Sequence, residues 1–305
     1  MKTLSYADMH CDTPFEVYRN ATSFFENKLA VSGKKSALYS AYLQVTAVWS
    51  DKEKDDDSAF YHTLDVIDYF KKDISKSDDV SFLLDNKDTK TRLVLSVEDA
   101  RILNGDISRF YTLYNKGVRI ITPLWGGYTC IGGSFDTERG LTPFGKEVVS
   151  ECVKNAVITD ISHASIESAY DIFEVCHGKA PVIASHSNSY STYPHKRNLT
   201  DEQFSLVKAS GGVVGISLCN EHIGLFEHTS PDRVIAHIEH YLSLGGEDTV
   251  CFGCDFDGAT TPEGLEDIST LPLLADKMQS LNYSDEQINK IFYQNASNFI
   301  LKNIK

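Results

Sequence analysis

The sequence predicts an α/β chain that folds as a (β/α)8 TIM barrel, because eight short apolar or β-branched runs alternate with segments of helical periodicity. The chain has 305 residues, enough for one such barrel, and we expect a single domain over residues 1–305. No Gly-x-Gly-x-x-Gly pattern follows the first strand. This disfavours the main competing fold, the doubly wound open sheet of dinucleotide-binding proteins.

The individual elements follow from apolar spacing and flanking turn residues. The predicted strands are 4–10, 41–49, 93–98, 118–122, 157–162, 181–186, 213–218 and 249–255. The predicted helices are 145–155, 165–176, 201–209, 231–244 and 285–303. One more helix, with an apolar stripe that includes Phe60, Ile67 and Phe70, is predicted after the charge-dense segment 51–57.

Composition and charge narrow the class of protein. Lys and Arg total 29 against 43 Asp and Glu, which gives a net charge of −14, and no basic block interrupts the chain. This balance argues against nucleic acid and anionic membranes as partners. No basic segment followed by an apolar core opens the chain, and no apolar run approaches 18 residues, so a cytoplasmic protein is expected. Seven scattered cysteines suit a reducing compartment.

The first candidate site lies at the end of the first predicted strand. Side chains alternate faces along a strand, so His10 and Asp12 are predicted to point to the same side. An imidazole and a carboxylate that converge in this way are suitable ligands for zinc or another borderline divalent cation. A His-x-Asp triplet is common by chance, so its meaning depends on the other strand ends.

Four further strand ends carry residues of the same chemistry. Glu98 ends the third predicted strand, His163 the fifth, His186 the sixth and Asp255 the eighth. The carboxyl ends of barrel strands open onto one face, where such enzymes place their chemistry. The sequence therefore predicts six ligand-type side chains at one mouth, enough for two metal ions. The alternative is that the histidines are strand-end residues capped by backbone groups and that Glu98 forms an ordinary ion pair.

These residues, in this order, resemble the renal (membrane) dipeptidase family of the metal-dependent amidohydrolase superfamily. The resemblance runs through almost the whole chain. It is carried by residues 8–14, 96–98, 117–119, 140–145, 160–165, 185–187, 197–201, 255–258 and 260–267. It implies a binuclear zinc hydrolase, with other divalent metals as alternatives, that cleaves dipeptides with a free carboxylate, including some with a D-residue at the carboxyl-terminal position. A homodimer is a family-level expectation.

The resemblance also implies a role for each candidate residue. His10 and Asp12 would bind one zinc ion, and Glu98 would bridge it to a second zinc ion held by His163 and His186. Two cations about 3.5–4 Å apart lower the pKa of a shared water from 15.7 towards about 7, and the resulting bridging hydroxide would attack the peptide carbonyl.

Two more residues complete the implied machinery. Asp255 would act with Glu98 as a catalytic residue by moving the proton of the attacking water, a task worth about 10²–10⁴ in rate. Arg197 would bind the terminal carboxylate of the substrate through its planar donor fork. The alternative for Arg197 is a salt bridge within its loop.

The chain departs from the family pattern at two substrate-facing positions. Trp125 stands where the family usually has a His that contacts the scissile carbonyl, with Tyr128 as an alternative occupant, and Cys219 stands where a Tyr often helps to hold the substrate carboxylate. A Trp donates one hydrogen bond but carries no charge. Two alternatives therefore stay open: an amidohydrolase acting on N-acyl amino acids or cyclic amides, and a non-catalytic relative that binds metal or peptide.

Other motifs carry less weight. Cys251 and Cys254 are predicted to be buried thiols, because positions three apart in a strand face opposite sides. His237 and His240 share a helix face and are predicted to be solvated. The remaining histidines lie in predicted helical or loop segments, and two of these, His195 and His222, lie near the expected mouth: His62, His177, His195, His222 and His228.

Overall fold

The computed structural model describes residues 4–225 and 229–305, so His228 lies outside the described residues. Its strands form one parallel sheet in the order β7-β6-β5-β4-β2-β1-β9-β8, with β3 paired only to β4. The strands are β1 (Tyr6–Asp8), β2 (Tyr42–Trp49), β3 (Val80–Phe82), β4 (Thr91–Glu98), β5 (Val118–Thr122), β6 (Ile158–Asp160), β7 (Val182–Ile183), β8 (Val214–Ile216) and β9 (Val250–Phe252).

The sheet closes on itself between β7 and β8. Ala184 forms a parallel bridge with Val214, and the Gly215 amide donates to the Ala184 carbonyl at 2.8 Å. This contact joins the two ends of the strand order. The predicted (β/α)8 barrel is therefore confirmed.

The strand boundaries differ from those predicted from the sequence. β1 ends at Asp8 rather than at residue 10, because the Asp8 carboxylate accepts the His10 amide at 2.9 Å and bends the chain. β6 ends at Asp160 for the same reason, with the Ser162 amide donating to Asp160 at 2.9 Å. β7, β8 and β9 are likewise shorter than predicted. Glu98 is the last residue of β4, and the other ligand-type residues lie on the turns just beyond their strands.

The helices surround the sheet, and every predicted helix is present. Their bounds are α1 (Thr13–Arg19), α2 (Gly33–Ser36), α3 (Asp56–Ile74), α4 (Ser108–Asn115), α5 (Pro143–Lys154), α6 (Ile166–Cys176), α7 (Asp201–Ala209), α8 (Asn220–Ile223), α9 (Pro231–Ser243), α10 (Leu271–Ser280), α11 (Asp285–Asn289) and α12 (Asn295–Asn303). A π-type segment, Lys290–Gln294, joins α11 to α12 within the predicted helix 285–303. Among the described residues, no helix is both long and apolar enough to cross a bilayer.

The last helix covers the amino-terminal end of the barrel. Phe299 and Ile300 of α12 pack against the apolar side chains that fill the lower interior, and the Asn295 amide donates to the Val250 carbonyl at 2.8 Å. Ile120 and Ile183 belong to the same buried cluster. With this end filled by side chains, the carboxyl end remains as the open mouth of the barrel.

Candidate metal centre

The carboxyl ends of the strands bring together all six ligand-type residues predicted from the sequence. Their ligand atoms form overlapping groups of three that lie within 4.8 Å of one another, and each group could hold a metal ion. We call this set the mouth cluster: His10, Asp12, Glu98, His163, His186 and Asp255.

Glu98 stands between two halves of the mouth cluster. Its Oε1 lies 3.0 Å from His163 Nε2 and 3.4 Å from His186 Nε2. Its Oε2 lies 3.8 Å from His10 Nε2, which is itself 3.5 Å from Asp12 Oδ2. One carboxylate therefore presents one oxygen to each of two separate ligand groups.

The hydrogen bonds of the two neighbouring histidines fix their tautomers. The His163 Nδ1–H donates to the Trp125 carbonyl at 3.0 Å. His186 Nδ1 lies 2.7 Å from Ser185 Oγ, whose own proton goes to the Asp160 carboxylate, so His186 Nδ1–H must donate. Both lone pairs are consequently on Nε2. A hydrogen bond that fixes the far nitrogen in this way is typical of metal-ligating histidines.

The two Nε2 atoms face each other 3.0 Å apart, with Glu98 Oε1 beside them. Burial lowers the pKa of both His163 and His186 well below the usual value, so both rings are neutral. The lone pairs of His163 Nε2, His186 Nε2 and Glu98 Oε1 thus face one another, and neither ring carries a proton between them. A buried cation is the partner that this arrangement requires.

The half of the mouth cluster formed by His10 and Asp12 also has buried polar atoms that lack a partner. His10 Nε2 and Asp12 Oδ1 are buried and have no hydrogen-bond partner. Burial on its own lowers the pKa of His10, but the field of Glu98, Asp12 and Asp255 outweighs it and raises the pKa to about 10. A field that strongly favours one proton also favours a divalent cation. The nitrogen and carboxylate donors of both halves fit zinc.

Two buried aspartates support the ligands, and sequence reasoning missed both. Asp8 accepts the Tyr6 hydroxyl at 2.6 Å and the backbone amide of Cys254 at 3.2 Å, in addition to that of His10. Asp160 plays the equivalent part on β6, where it accepts the backbone amides of two residues, Ser162 and Ser185. Each aspartate thereby ties its own turn to the next strand. The available signal was an acidic residue inside an otherwise apolar strand end.

Backbone conformation at the mouth is unusual. His163 has φ 69° and Asp255 has φ 63°, a left-handed region that non-glycine residues rarely adopt. Such strain is concentrated at functional sites because surrounding contacts must maintain it. Gly258 approaches the same turn so closely that an added Cβ would lie 2.0 Å from Asp12 Oδ2. Only glycine allows this loop to pack against the Asp12 carboxylate.

Asp255 lies beside the first half of the mouth cluster, with Oδ1 at 3.8 Å from His10 Nε2. Burial raises its pKa to about 6; the charge of His10 opposes this rise and that of Asp12 adds to it. The carboxylate is therefore close to the ligands and able to hold a proton near neutral pH.

Arg197 is buried and incompletely satisfied. Its side chain is 4% exposed, and neither Nε nor Nη2 has a hydrogen-bond partner. The guanidinium carbon lies 5.6 Å from the centroid of the Phe135 ring. Within the part of the chain that the structure describes, no carboxylate lies within 4.0 Å, so the alternative of a loop salt bridge is not realised. A buried guanidinium with free N–H groups is suited to an anionic ligand.

The two positions that depart from the family pattern both lie near the mouth cluster. The Trp125 ring lies 6.2 Å from the His163 ring and 5.4 Å from the Trp49 ring. Cys219 is buried at the start of α8, and burial, with the charge of Asp255 adding to it, raises its pKa to about 12. Tyr128 is half exposed and packs instead against the Arg139 guanidinium at 4.5 Å.

A cavity of about 240 Å³ opens beside the mouth cluster and includes four residues that sequence reasoning missed: Phe15, Arg19, Trp49 and Lys52. We call it the acyl-side cavity. Its full lining is Asp12, Phe15, Glu16, Arg19, Trp49, Lys52, Glu98, Trp125, His163, Asp255, Asp257 and Gly258. Beyond the candidate ligands the lining is aromatic, with the cations Arg19 and Lys52 and two carboxylates. Of these carboxylates, Glu16 pairs with Arg19, and Asp257 accepts the Thr13 hydroxyl and the Ala30 amide.

The other histidines behave in two ways. The His195 and His222 rings lie 4.8 Å apart and are tilted by 33°, and burial lowers the pKa of His222 to about 2. The prediction for His237 is wrong: it is fully buried, accepts the Ser189 amide at 3.1 Å through Nδ1 and donates to the Ile223 carbonyl at 2.9 Å. Its position on the apolar stripe of α9 explains the burial. Cys251 and Cys254 are buried free thiols, as predicted.

A comparison of the sequence with protein families matches residues 1–302 to the model described as membrane dipeptidase (peptidase family M19). The curated relatives include an uncharacterised protein from the region 5′ of pqqA in Klebsiella pneumoniae, 31% identical over 72% of this chain and 84% of the relative. They also include an uncharacterised dipeptidase of Schizosaccharomyces pombe, 32% identical over 65% of this chain and 50% of the relative.

Solved structures share the fold. A dipeptidase described as a metallopeptidase of family M19 superposes with a TM-score of 0.90 at 21% identity, over 99% of both chains. A metallopeptidase from Rhodobacter sphaeroides, solved with a phosphinate mimic of the dipeptide L-Ala-D-Ala, superposes with a TM-score of 0.88 at 21% identity over 100% of both chains.

Proposed function

This chain belongs to the membrane dipeptidase family and is a metal-dependent dipeptidase, and we propose that it works with two zinc ions held by the mouth cluster. His10 and Asp12 would hold one ion, His163 and His186 the other, and Glu98 would bridge them. The observation that supports this most strongly is the position of Glu98, whose Oε1 and Oε2 face different histidines.

The chemistry divides between the cations and the chain. When bound, a pair of zinc ions lowers the pKa of a water that serves as the nucleophile and polarises the scissile carbonyl. Asp255 would accept the proton of that water at Oδ1 and deliver it to the leaving amine, because it lies 3.8 Å from His10 Nε2 with a raised pKa. Arg197 would hold the substrate carboxylate through its unpartnered Nε and Nη2.

We further propose that the enzyme accepts a D-residue at the carboxyl-terminal position of the dipeptide. The ligand of the Rhodobacter sphaeroides metallopeptidase, which shares this fold, mimics a dipeptide with such a residue.

A second candidate activity is supported by Trp125. The indole places an apolar ring beside His163 at the position where the family pattern has an ionisable side chain. An acyl group without a free amine, as in N-acyl amino acids or cyclic amides, would pack against such a ring.

The experiment compares L,L-dipeptides, L,D-dipeptides and N-acyl amino acids as substrates of the full chain. Each is assayed before chelation, after chelation and after zinc is restored. We expect dipeptide hydrolysis that disappears with the chelator and returns with zinc, at a stoichiometry of about two ions per chain. Hydrolysis that is insensitive to a chelator would contradict the proposed mechanism. Turnover confined to N-acyl amino acids would favour the second candidate.

A further inference from the structure

We propose that the acyl-side cavity is a subsite for an acidic side chain on the amino-terminal residue of the substrate, with Lys52 as its cationic partner. The inference rests on the proposed function, because it requires a scissile amide positioned at the mouth cluster. It assigns a substrate class that neither the metal ligands nor Arg197 specifies.

The position of the cavity determines which part of the substrate reaches it. Its described lining comes from the turns after β1, β2, β4, β5, β6 and β9, and it includes no residue of the turns after β7 and β8. Arg197 and Cys219 lie on those two turns. A dipeptide whose carboxylate is bound by Arg197, with its amide at the mouth cluster, therefore directs its amino-terminal side chain into the acyl-side cavity.

The walls of the cavity suit the methylene groups of such a side chain. Trp49 stands between two other rings, with its centroid 5.2 Å from Phe15 and 5.4 Å from Trp125. Aromatic faces bury aliphatic carbons favourably. The cavity of about 240 Å³ also includes the space next to the mouth cluster, and it is large enough to admit a side chain beside it.

The charge at the cavity comes from Lys52. Its Nζ lies 5.5 Å from the centroid of the Trp125 ring, close enough for a cation–π contact. Across residues 4–225 and 229–305, no carboxylate oxygen lies within 4.0 Å of this ammonium. The other cation of the lining, Arg19, already pairs with Glu16 at 2.7 Å. Lys52 is thus the cation of this cavity that remains available to a ligand.

The acidic residues near Lys52 in the sequence do not neutralise it. Asp51 pairs with Lys54 at 3.5 Å. Two further acids on the first turn of α3 pair with arginines, Asp56 with Arg101 and Asp57 with Arg109. The acidic segment 51–57 is therefore largely satisfied by its own partners, while Lys52 is held at the cavity by Trp125.

The test measures kcat/KM for Glu-Ala, Gln-Ala and Ala-Ala with the zinc-loaded full chain, each as the L,L and L,D form. Glu and Gln have the same shape and differ in charge, so their ratio isolates the cation. We expect wild type to prefer Glu-Ala over Gln-Ala by about 3- to 10-fold. The ratio should fall to about one in Lys52→Met and persist in Lys52→Arg. Lys179→Met is the matched control, because Lys179 is exposed, donates to the Val175 carbonyl and lies outside the cavity lining, so its loss should leave the ratio unchanged.

Salt provides a second readout, since raising NaCl to about 0.5 M screens a partly exposed charge and should reduce the wild-type ratio. Hydrolysis of all three dipeptides without a preference for Glu-Ala would overturn the subsite and leave the dipeptidase proposal standing. A preference that survives in Lys52→Met would overturn the role of Lys52. No hydrolysis of any dipeptide would instead overturn the proposed function on which the subsite rests.

Discussion

Two groups of side chains at the barrel mouth differ in how they are held. We call the mouth cluster the floor, and the side chains around it, Arg197, Lys52, Trp125 and Cys219, the wall. On the floor, His163 and His186 donate to buried acceptors that fix both ring and tautomer. On the wall, Arg197 has two N–H groups without a partner among the described residues, and Lys52, which forms no ion pair with any of them, lies over the Trp125 ring. The candidate metal ligands are therefore oriented by the protein itself, whereas Arg197 and Lys52 would gain their partners from the proposed substrate. The departures from the family pattern, Trp125 and Cys219, fall on the wall.

Removing the shared floor ligand should have the greatest consequence. In Glu98→Gln the anionic oxygens that face both histidine groups are lost, and we expect bound zinc to fall well below two per chain and kcat/KM to fall by at least about 10³. Metal analysis together with dipeptide kinetics measures both. Glu151→Gln, a buried carboxylate on α5 that pairs with Lys154, is the control. A Glu98→Gln protein with wild-type zinc and turnover would refute the bridging role.

The backbone of the wall depends on a neutral His237, which ties Ser189 after β7 to Ile223 of α8. Burial lowers its pKa from 6.5 to about 4, so the unfolded chain takes up the extra proton first as the pH falls. The stability due to this shift is complete above pH 6.5 and is lost as the pH approaches 4. At about 1.36 kcal/mol per pKa unit it amounts to about 3 kcal/mol, or roughly 300-fold in the folding equilibrium.

Urea unfolding of wild type and His237→Gln between pH 7 and pH 4 checks this, with a chelator present throughout so that metal release does not contribute. We expect the wild-type advantage to shrink as the pH falls. An advantage that is constant across this range would show that the ring does not titrate as described.

The hydrogen bond from His186 to Ser185 should contribute less to zinc affinity than a metal ligand itself. Ser185→Ala removes the acceptor of His186 Nδ1–H, and losses of such supporting bonds typically cost 10–100-fold in metal affinity. Competition with a zinc-chelating dye measures the affinity. Ser36→Ala is the matched control, because Ser36 is equally buried but bonds to Gly33 and Thr91, away from the mouth. Equal zinc affinities in the two variants would mean that Ser185 does not orient His186.

Replacing Trp125 with histidine should increase kcat for dipeptides. Trp125→His restores an imidazole donor near the scissile carbonyl and retains the backbone carbonyl that His163 requires. Lost oxyanion donors cost about 10²–10³, so recovery of about 10-fold in kcat for dipeptides is expected from an unoptimised replacement. Trp125→Phe, which keeps a ring without a donor, should show no gain. A similar rise in both variants would point to bulk rather than hydrogen bonding.

The sequence predicted the barrel and the convergence of the mouth cluster because both depend on local order: apolar runs recur at regular intervals, and five of the eight carry ligand-type residues at their ends. It missed β3, whose three residues, Val80–Phe82, are too few to show alternation and follow a polar turn. It also placed strand ends too late, because the carboxylates of Asp8 and Asp160 capture backbone amides and bend the chain. Apolar periodicity does not reveal where a side-chain carboxylate competes with a neighbouring strand for backbone amides.

The buried state of His237 could have been found in the sequence. It lies three and four residues from Val234 and Tyr241 on the apolar stripe of α9, and the neighbouring Glu239 gave undue weight to a solvated face. The role of Lys52 could not have been found, because it depends on Trp125, 73 positions away in the chain. Periodicity locates elements and their faces, whereas contacts between distant loops follow only from the closed barrel.

Asp8 and Asp160 lie on different strands, and their carboxylates have no hydrogen-bond partner in common. If the mouth cluster holds two cations as proposed, withdrawal of one should therefore leave the opposite half assembled, with Glu98 still anchored to β4. Chelation would then proceed stepwise through a mononuclear species, and the two half-sites would release their ions with separate affinities instead of emptying together.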